Sequence, residues 1–110
     1  MTTHDPLRRT ALAWLAEARP AMQVQVLDAK GSVPRGVGTR MLVSAQAVAG
    51  TIGGGHLELK AIEHARELLA SAQGSAAPVD RHYPLGPALG QCCGGALTLR
   101  TQALHSLDLA

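Results

Sequence analysis

The stretch TIGGGHLELKAIEHARELLA, Thr51 to Ala70, changes its hydrophobic period in the middle. Up to Ile52 apolar residues fall in a short β-type run. After Gly53-Gly54-Gly55 they recur at Leu57, Ala61, Ala65, Leu68 and Ala72, one face of a helix that Ile62 and Leu69 widen. Glu58, Lys60, Glu63, Arg66 and Glu67 take the remaining positions. The stretch therefore predicts a strand, a glycine turn and an amphipathic helix fading in Ser71 to Ala77, and it sets a mixed α/β chain against an all-β or all-helical one.

The same reading extends to both sides. Asp5-Pro6 is an N-cap followed by proline at the first helical position, and Leu7, Ala11, Trp14, Leu15 and Ala18 recur at helical spacing until Pro20 closes the segment. Met22, Val24 and Val26 alternate with Gln23 and Gln25, the pattern of a strand with one buried face. Thr39 to Ser44 and Ala47 to Ile52 read as a hairpin turning at Ala45-Gln46, although no Asn-Gly marks the turn. Val79 to Tyr83 and Ala96 to Gln102 complete the strands. The expected architecture is one compact α+β domain over residues 1–110, with about five short strands and two helices. Strand order is not readable.

Composition narrows the function. The chain has 110 residues, 46% of them hydrophobic, with one Trp, one Tyr and no Phe, so Leu, Val, Ile, Met and Ala must fill the core. So few aromatic rings remove the stacking platforms used on single-stranded nucleic acid, and a formal charge of +2 with scattered basic residues gives no polyanion stripe. Nucleic acid is thus excluded as a partner. No apolar run reaches membrane-spanning length and MTTHDPLRR has no signal-peptide core, so the expected location is cytoplasmic, away from membranes.

Three glycine-rich segments lie at strand ends: GSVPRGVG from Gly31, TIGGGHLE from Thr51 and LGQCCGG from Leu89. Backbone amides in such loops, and at a helix start, hold anions through hydrogen bonds and the helix dipole. Tight turns alone also call for glycine. Phosphate fingerprints fail: Val37 stands where a P-loop lysine belongs, and no GxGxxG opens the helix. Cys92 and Cys93 are the only cysteines. Adjacent thiols are neither a disulfide framework nor a zinc pair by spacing, and free cysteines are also common simply as small buried residues. His56 stands at the first helical turn, fit to touch a ligand or to cap. His64 reads as a solvated helix residue and His82 as a strand residue of undefined facing. A zinc site joining His56 or His82 to the cysteines is not selected by any spacing. Glu58 and Arg40 read most simply as surface ion-pair residues.

Taken together, GSVPRGVGTRMLV, then GTIGGGHLE before a helix, then LGPALGQCCGGAL resemble the XdhC/CoxI family of xanthine dehydrogenase accessory proteins, on the XdhC side. The similarity runs through residues 8–101 in the right order. It implies a chaperone, not an enzyme with turnover of its own. Such a chaperone binds the molybdenum cofactor, protects it during sulfuration by a cysteine desulfurase, and passes it to a xanthine dehydrogenase-type apoenzyme. It also implies that this chain is the N-terminal domain only, because the family carries a Rossmann-like domain after this region; homo-oligomerisation would compensate. Gly36 replaces an acidic residue common in the family's first motif.

The resemblance places the cofactor on Gly53, Gly54, Gly55 and His56 as an amide cradle, with Arg35 and Arg40 adding charge-assisted hydrogen bonds. Gln91, Cys92, Cys93, Gly94 and Gly95 form the second wall. A thiolate is a soft ligand suited to molybdenum and able to carry a persulfide, and adjacent residues in extended backbone face opposite sides, so one cysteine, Cys92 by preference, is the expected metal ligand. The alternatives are a small thiol-based sulfur or redox carrier and a regulatory domain that binds only protein.

Overall fold

The computed structural model describes residues 6–31, 36–71, 78–84 and 95–104. The chain runs α1 (Pro6–Ala16), β1 (Ala21–Lys30), β2 (Arg40–Ser44), β3 (Val48–Gly50), α2 (Gly55–Ala70), β4 (Val79–Pro84) and β5 (Ala96–Ala103). The five strands form one sheet in the order β3-β2-β1-β5-β4, and every neighbouring pair is antiparallel. This is the α+β class, strand count and helix count that the sequence implies.

The sheet is covered differently on its two faces. On one, Met22, Val24 and Val26 of β1 join Met41 and Val43 of β2, Leu97 and Leu99 of β5, and Leu57, Ala61 and Ala65 of α2 in the main core. On the other, Ala21 and Leu42 meet Ala11 and Trp14 of α1, with Leu104 beside them. The start of β1 is consequently buried on both faces: Gln23 is only 3% exposed while Val24 is 0% exposed. The expected single buried face is corrected here, because α1 roofs the side that the glutamines occupy.

β1 is also longer than its alternation. β5 pairs along it as far as Lys30, but the register shifts between Val26 and Asp28, leaving Leu27 as an extra residue. A bulge of this kind breaks the period of two while the ladder continues. The β2–β3 hairpin turns at Ala45-Gln46 as expected. Ser44 substitutes for a glycine turn signal: its Oγ accepts from the amides of Ala47 at 2.9 Å and Gln46 at 3.4 Å, and its own amide donates to the Ala47 carbonyl at 2.8 Å.

α1 ends in a Schellman motif. Arg19 N donates to Trp14 O at 2.9 Å and Ala18 N to Leu15 O at 3.0 Å, with Ala18 at φ 56°. An alanine Cβ is strained in that conformation, so Ala18→Gly is expected to raise stability by about 1 kcal/mol, roughly 5 °C in Tm. Thermal unfolding of the two proteins checks this; an unchanged or lower Tm would refute it. Among the described residues no helix is long and apolar enough to cross a membrane.

Candidate functional site

The antiparallel order sends one set of strand ends to a common edge. Lys30, the last residue of β1, pairs with Ala96, the first of β5, and Ala96 pairs with Pro84, the last of β4. On the other side of β1, Arg40 starts β2 opposite Gln25, and Gly50 ends β3 opposite Met41. The described ends of all three glycine-rich segments therefore leave the sheet at this edge: Gly31 and Gly36 to Gly38, Thr51 to Gly55, and Gly95. α2 begins there too, and Leu57 in its first turn shares the core with Ile52, Tyr83 and Leu97.

The segment Gly53-Gly54-Gly55 needs its glycines for backbone reasons. Their φ values are 125°, 77° and 71°, a region in which a residue with a Cβ is strained at each of three successive positions. The loop is held from inside by Glu58. Its Oε1 accepts from the amides of Ile52 and Gly54, each at 3.1 Å, and from the Thr51 hydroxyl in a short contact. Gly53 N donates to Thr51 Oγ1 at 3.0 Å. A carboxylate in the first turn of a helix thus reaches back over the N-terminus, as in a capping box, and is favoured there by the helix dipole.

Glu58 is the residue that sequence reasoning missed. Its expected role as a surface ion-pair partner is corrected: it organises the loop. The available signal was an acidic residue in the first turn after a glycine run without a Ser, Thr, Asp or Asn cap. Two of the four cradle residues, Gly53 and Gly54, already spend their amides within the loop. Gly55 and His56 lie exposed at the helix start, where first-turn amides have no intrahelical acceptor.

Arg40 starts β2 beside this loop, but its side chain turns to the α1 face. It donates to Gln23 Oε1 at 3.5 Å and lines a cleft of about 330 Å³ with Pro6, Leu7, Thr10, Ala49 and Gly50. That is a side-chain hydrogen bond in place of the expected surface ion pair, and it sets the guanidinium on the opposite face from α2. Gly95 is buried at the start of β5. Arg35, Gln91, Cys92, Cys93 and Gly94 lie outside the described residues.

The histidines separate. His82 is exposed on β4, 3.4 Å from the Thr98 hydroxyl. His64 is 6% exposed on the inner face of α2, a correction to its expected solvation. Its burial, reinforced by the Arg81 charge and partly opposed by Glu67, holds its pKa below the ordinary imidazole value. Among the described residues no cluster of three His, Cys, Asp or Glu side chains is arranged to hold a metal ion.

The His64 shift has a sign. A depressed folded-state pKa means the unfolded chain takes up the proton first as pH falls. The stability contributed by neutral His64 is complete above about pH 6.5 and declines below it until the folded protein also protonates. Tm is expected to fall between pH 7 and pH 5, and to fall less in His64→Gln. Parallel pH profiles of the two proteins would contradict this assignment.

These features define an α+β domain in which the described ends of the glycine-rich segments and one helix N-terminus gather at a single end of an antiparallel sheet. Its sequence matches the XdhC and CoxI family over residues 14–80, and the chain belongs to that family. Among solved structures it is similar to a xanthine dehydrogenase from Bacillus halodurans, with a TM-score of 0.75 and 19% identity over 93% of this chain and 32% of that one. At that identity the likeness establishes the fold. This chain thus corresponds to about a third of that protein's length. Comparison with curated protein sequences gives no match.

Proposed function

We propose that this domain is the cofactor-seating part of a maturation chaperone that carries the molybdenum cofactor to a xanthine dehydrogenase-type apoenzyme. The observation that supports this reading most is the common edge from which the described ends of all three glycine-rich segments leave the sheet. Family membership supplies the class of cargo.

The pyranopterin is an anion, and the residues at this edge fit one in a specific way. The Gly55 and His56 amides at the start of α2 are exposed and suit a phosphate, while the loop before them is kept rigid by Glu58. The thiolates of Cys92 and Cys93, with Cys92 the preferred ligand, supply the soft donor that molybdenum favours. In this reading Gln91, Gly94 and Gly95 shape the approach, and Arg35 adds positive charge. Arg40 contributes by holding the β2 end. The cofactor is cargo, protected while a cysteine desulfurase provides sulfur and then released to the client. A homo-oligomer belongs to the same reading, as does a cytoplasmic location.

The test is retention of the purified cofactor through gel filtration, with molybdenum measured against protein. Wild type is expected to hold near one equivalent, and Cys92→Ala with Cys93→Ala to lose most of it while remaining folded. Equal retention by the double variant would remove the thiols from the account.

A further inference from the structure

At the end of the sheet away from the glycine segments, α2 finishes beside the β2–β3 turn and the start of β1. A groove of about 430 Å³ opens there, lined by Arg19 and Arg66 over an apolar floor of Pro20, Ala45 and Leu69. Both guanidiniums are half-buried and held in place. Arg66 Nε donates to the Ser44 carbonyl at 3.0 Å, which fixes the side chain at the groove wall. Arg19 stacks over the Trp14 ring at 5.4 Å, with Glu17 3.5 Å from its Nε.

Among the described residues, none that lines the groove is acidic and no carboxylate lies within ion-pair distance of Arg66. Among the described residues Arg66 therefore has no counter-ion, and Arg19, already paired with Glu17, brings a second guanidinium to the same cleft. Oriented guanidinium forks match carboxylates, and half-burial strengthens the attraction over that of a fully solvated pair. The floor adds a different requirement. Pro20, Ala45 and Leu69 present apolar surface, which a bare phosphate does not cover. A peptide offers a carboxylate for the arginines and an apolar side chain for the floor.

We infer that this groove docks a short acidic peptide segment of a partner protein, one Asp or Glu flanked by aliphatic residues. The assignment is independent of the cofactor reading. Because the groove lies at the opposite end of the sheet, a partner seated there leaves the glycine edge open.

The test titrates the full chain with the blocked peptide acetyl-Leu-Asp-Leu-amide, following the arginine Nε–H signals by NMR. Acetyl-Leu-Asn-Leu-amide and sodium acetate serve as the other arms. The acidic peptide is expected to shift the Arg19 and Arg66 signals saturably, and to bind about tenfold more weakly in Arg66→Gln, with Arg66→Lys intermediate. Added salt is expected to weaken it further. Equal binding of the Asn peptide, or an effect of acetate as strong as that of the peptide, would overturn the assignment. So would concentration-dependent self-association abolished by Arg66→Gln, which would give the groove to a second copy. A Tm for Arg66→Gln close to wild type shows that lost binding is not lost folding; if that variant unfolds, Arg19→Gln carries the same comparison.

Discussion

Gly50→Ala is expected to destabilise the protein by about 3 kcal/mol, lowering Tm by 10 °C or more on the order-of-magnitude scaling for small domains. Gly50 closes β3 at φ 78°, where an L side chain is strained. Space is also lacking. A Cβ there would stand 3.0 Å from the Arg40 carbonyl oxygen and 3.0 Å from Leu7 Cδ1. Leu7 can move, since it is the tip of a flexible side chain. The Arg40 carbonyl belongs to the neighbouring strand and cannot yield without shifting β2. Gly54→Ala shows backbone strain alone. Gly54 lies at φ 77° and ψ −170°, a region that glycine alone occupies readily, and a Cβ there meets nothing within 4 Å, so strain of about 1–3 kcal/mol should appear with no contact cost. Urea unfolding of both variants checks these values; a loss below about 1 kcal/mol for Gly50→Ala would refute the costly contact with the Arg40 carbonyl.

The second large effect lies at the site itself. Glu58→Ala is expected to cost about 2–3 kcal/mol, because one carboxylate oxygen gathers two amides and a hydroxyl. Ile52, one of those donors, is 0% exposed, so water cannot readily replace the lost acceptor. Glu58→Gln keeps an oxygen in place and should lose about half as much, since it surrenders the charge but not the geometry. The two variants also differ in consequence for the cradle. With alanine the Thr51–Gly54 turn loses the group that ties it to α2, and faster amide exchange of Ile52 and Gly54 is expected. Exchange unchanged from wild type would show that the loop is set by its glycines alone.

How much of this was legible beforehand depends on the range of the interaction. α2 was readable because its apolar stripe and the preceding glycines are local signals, and Leu57, Ala61 and Ala65 do form its buried face. The hairpin at Ala45-Gln46 was readable from the break between two apolar runs. The double burial of Gln23 was not, because it depends on α1 lying across β2 and β3 on the far face. Nor was the sheet order, which rests on β1 pairing with β5, some seventy positions apart in the chain. The extension of β1 to Lys30 was masked by the bulge at Leu27. His64 misled for a related reason: a polar residue was assigned to the solvated side of α2, although its position on the helical wheel adjoins the Ala61–Ala65 stripe.

What was legible of the candidate site was glycine-rich segments at strand ends, and antiparallel pairing explains why their described ends share an edge. What the spacing could not reveal is that an internal carboxylate already uses the Ile52 and Gly54 amides. Together with the Gly53 bond to Thr51, that leaves Gly55 and His56 as the open part of the candidate cradle. It also separates two roles inside a single motif, with Glu58 shaping the loop and the helix start free to meet an anion.

The most direct measurement is therefore an amide chemical-shift map of the 15N-labelled chain with and without molybdenum cofactor. Saturable shifts are expected at Gly55 and His56, smaller ones at Gly53 and Gly54, and none at Ala45 or Gln46 beyond the opposite end of the sheet. A folded protein whose Gly53 to His56 amides stay unmoved at saturating cofactor, or whose shifts cluster at the Ala45–Gln46 turn, would contradict it.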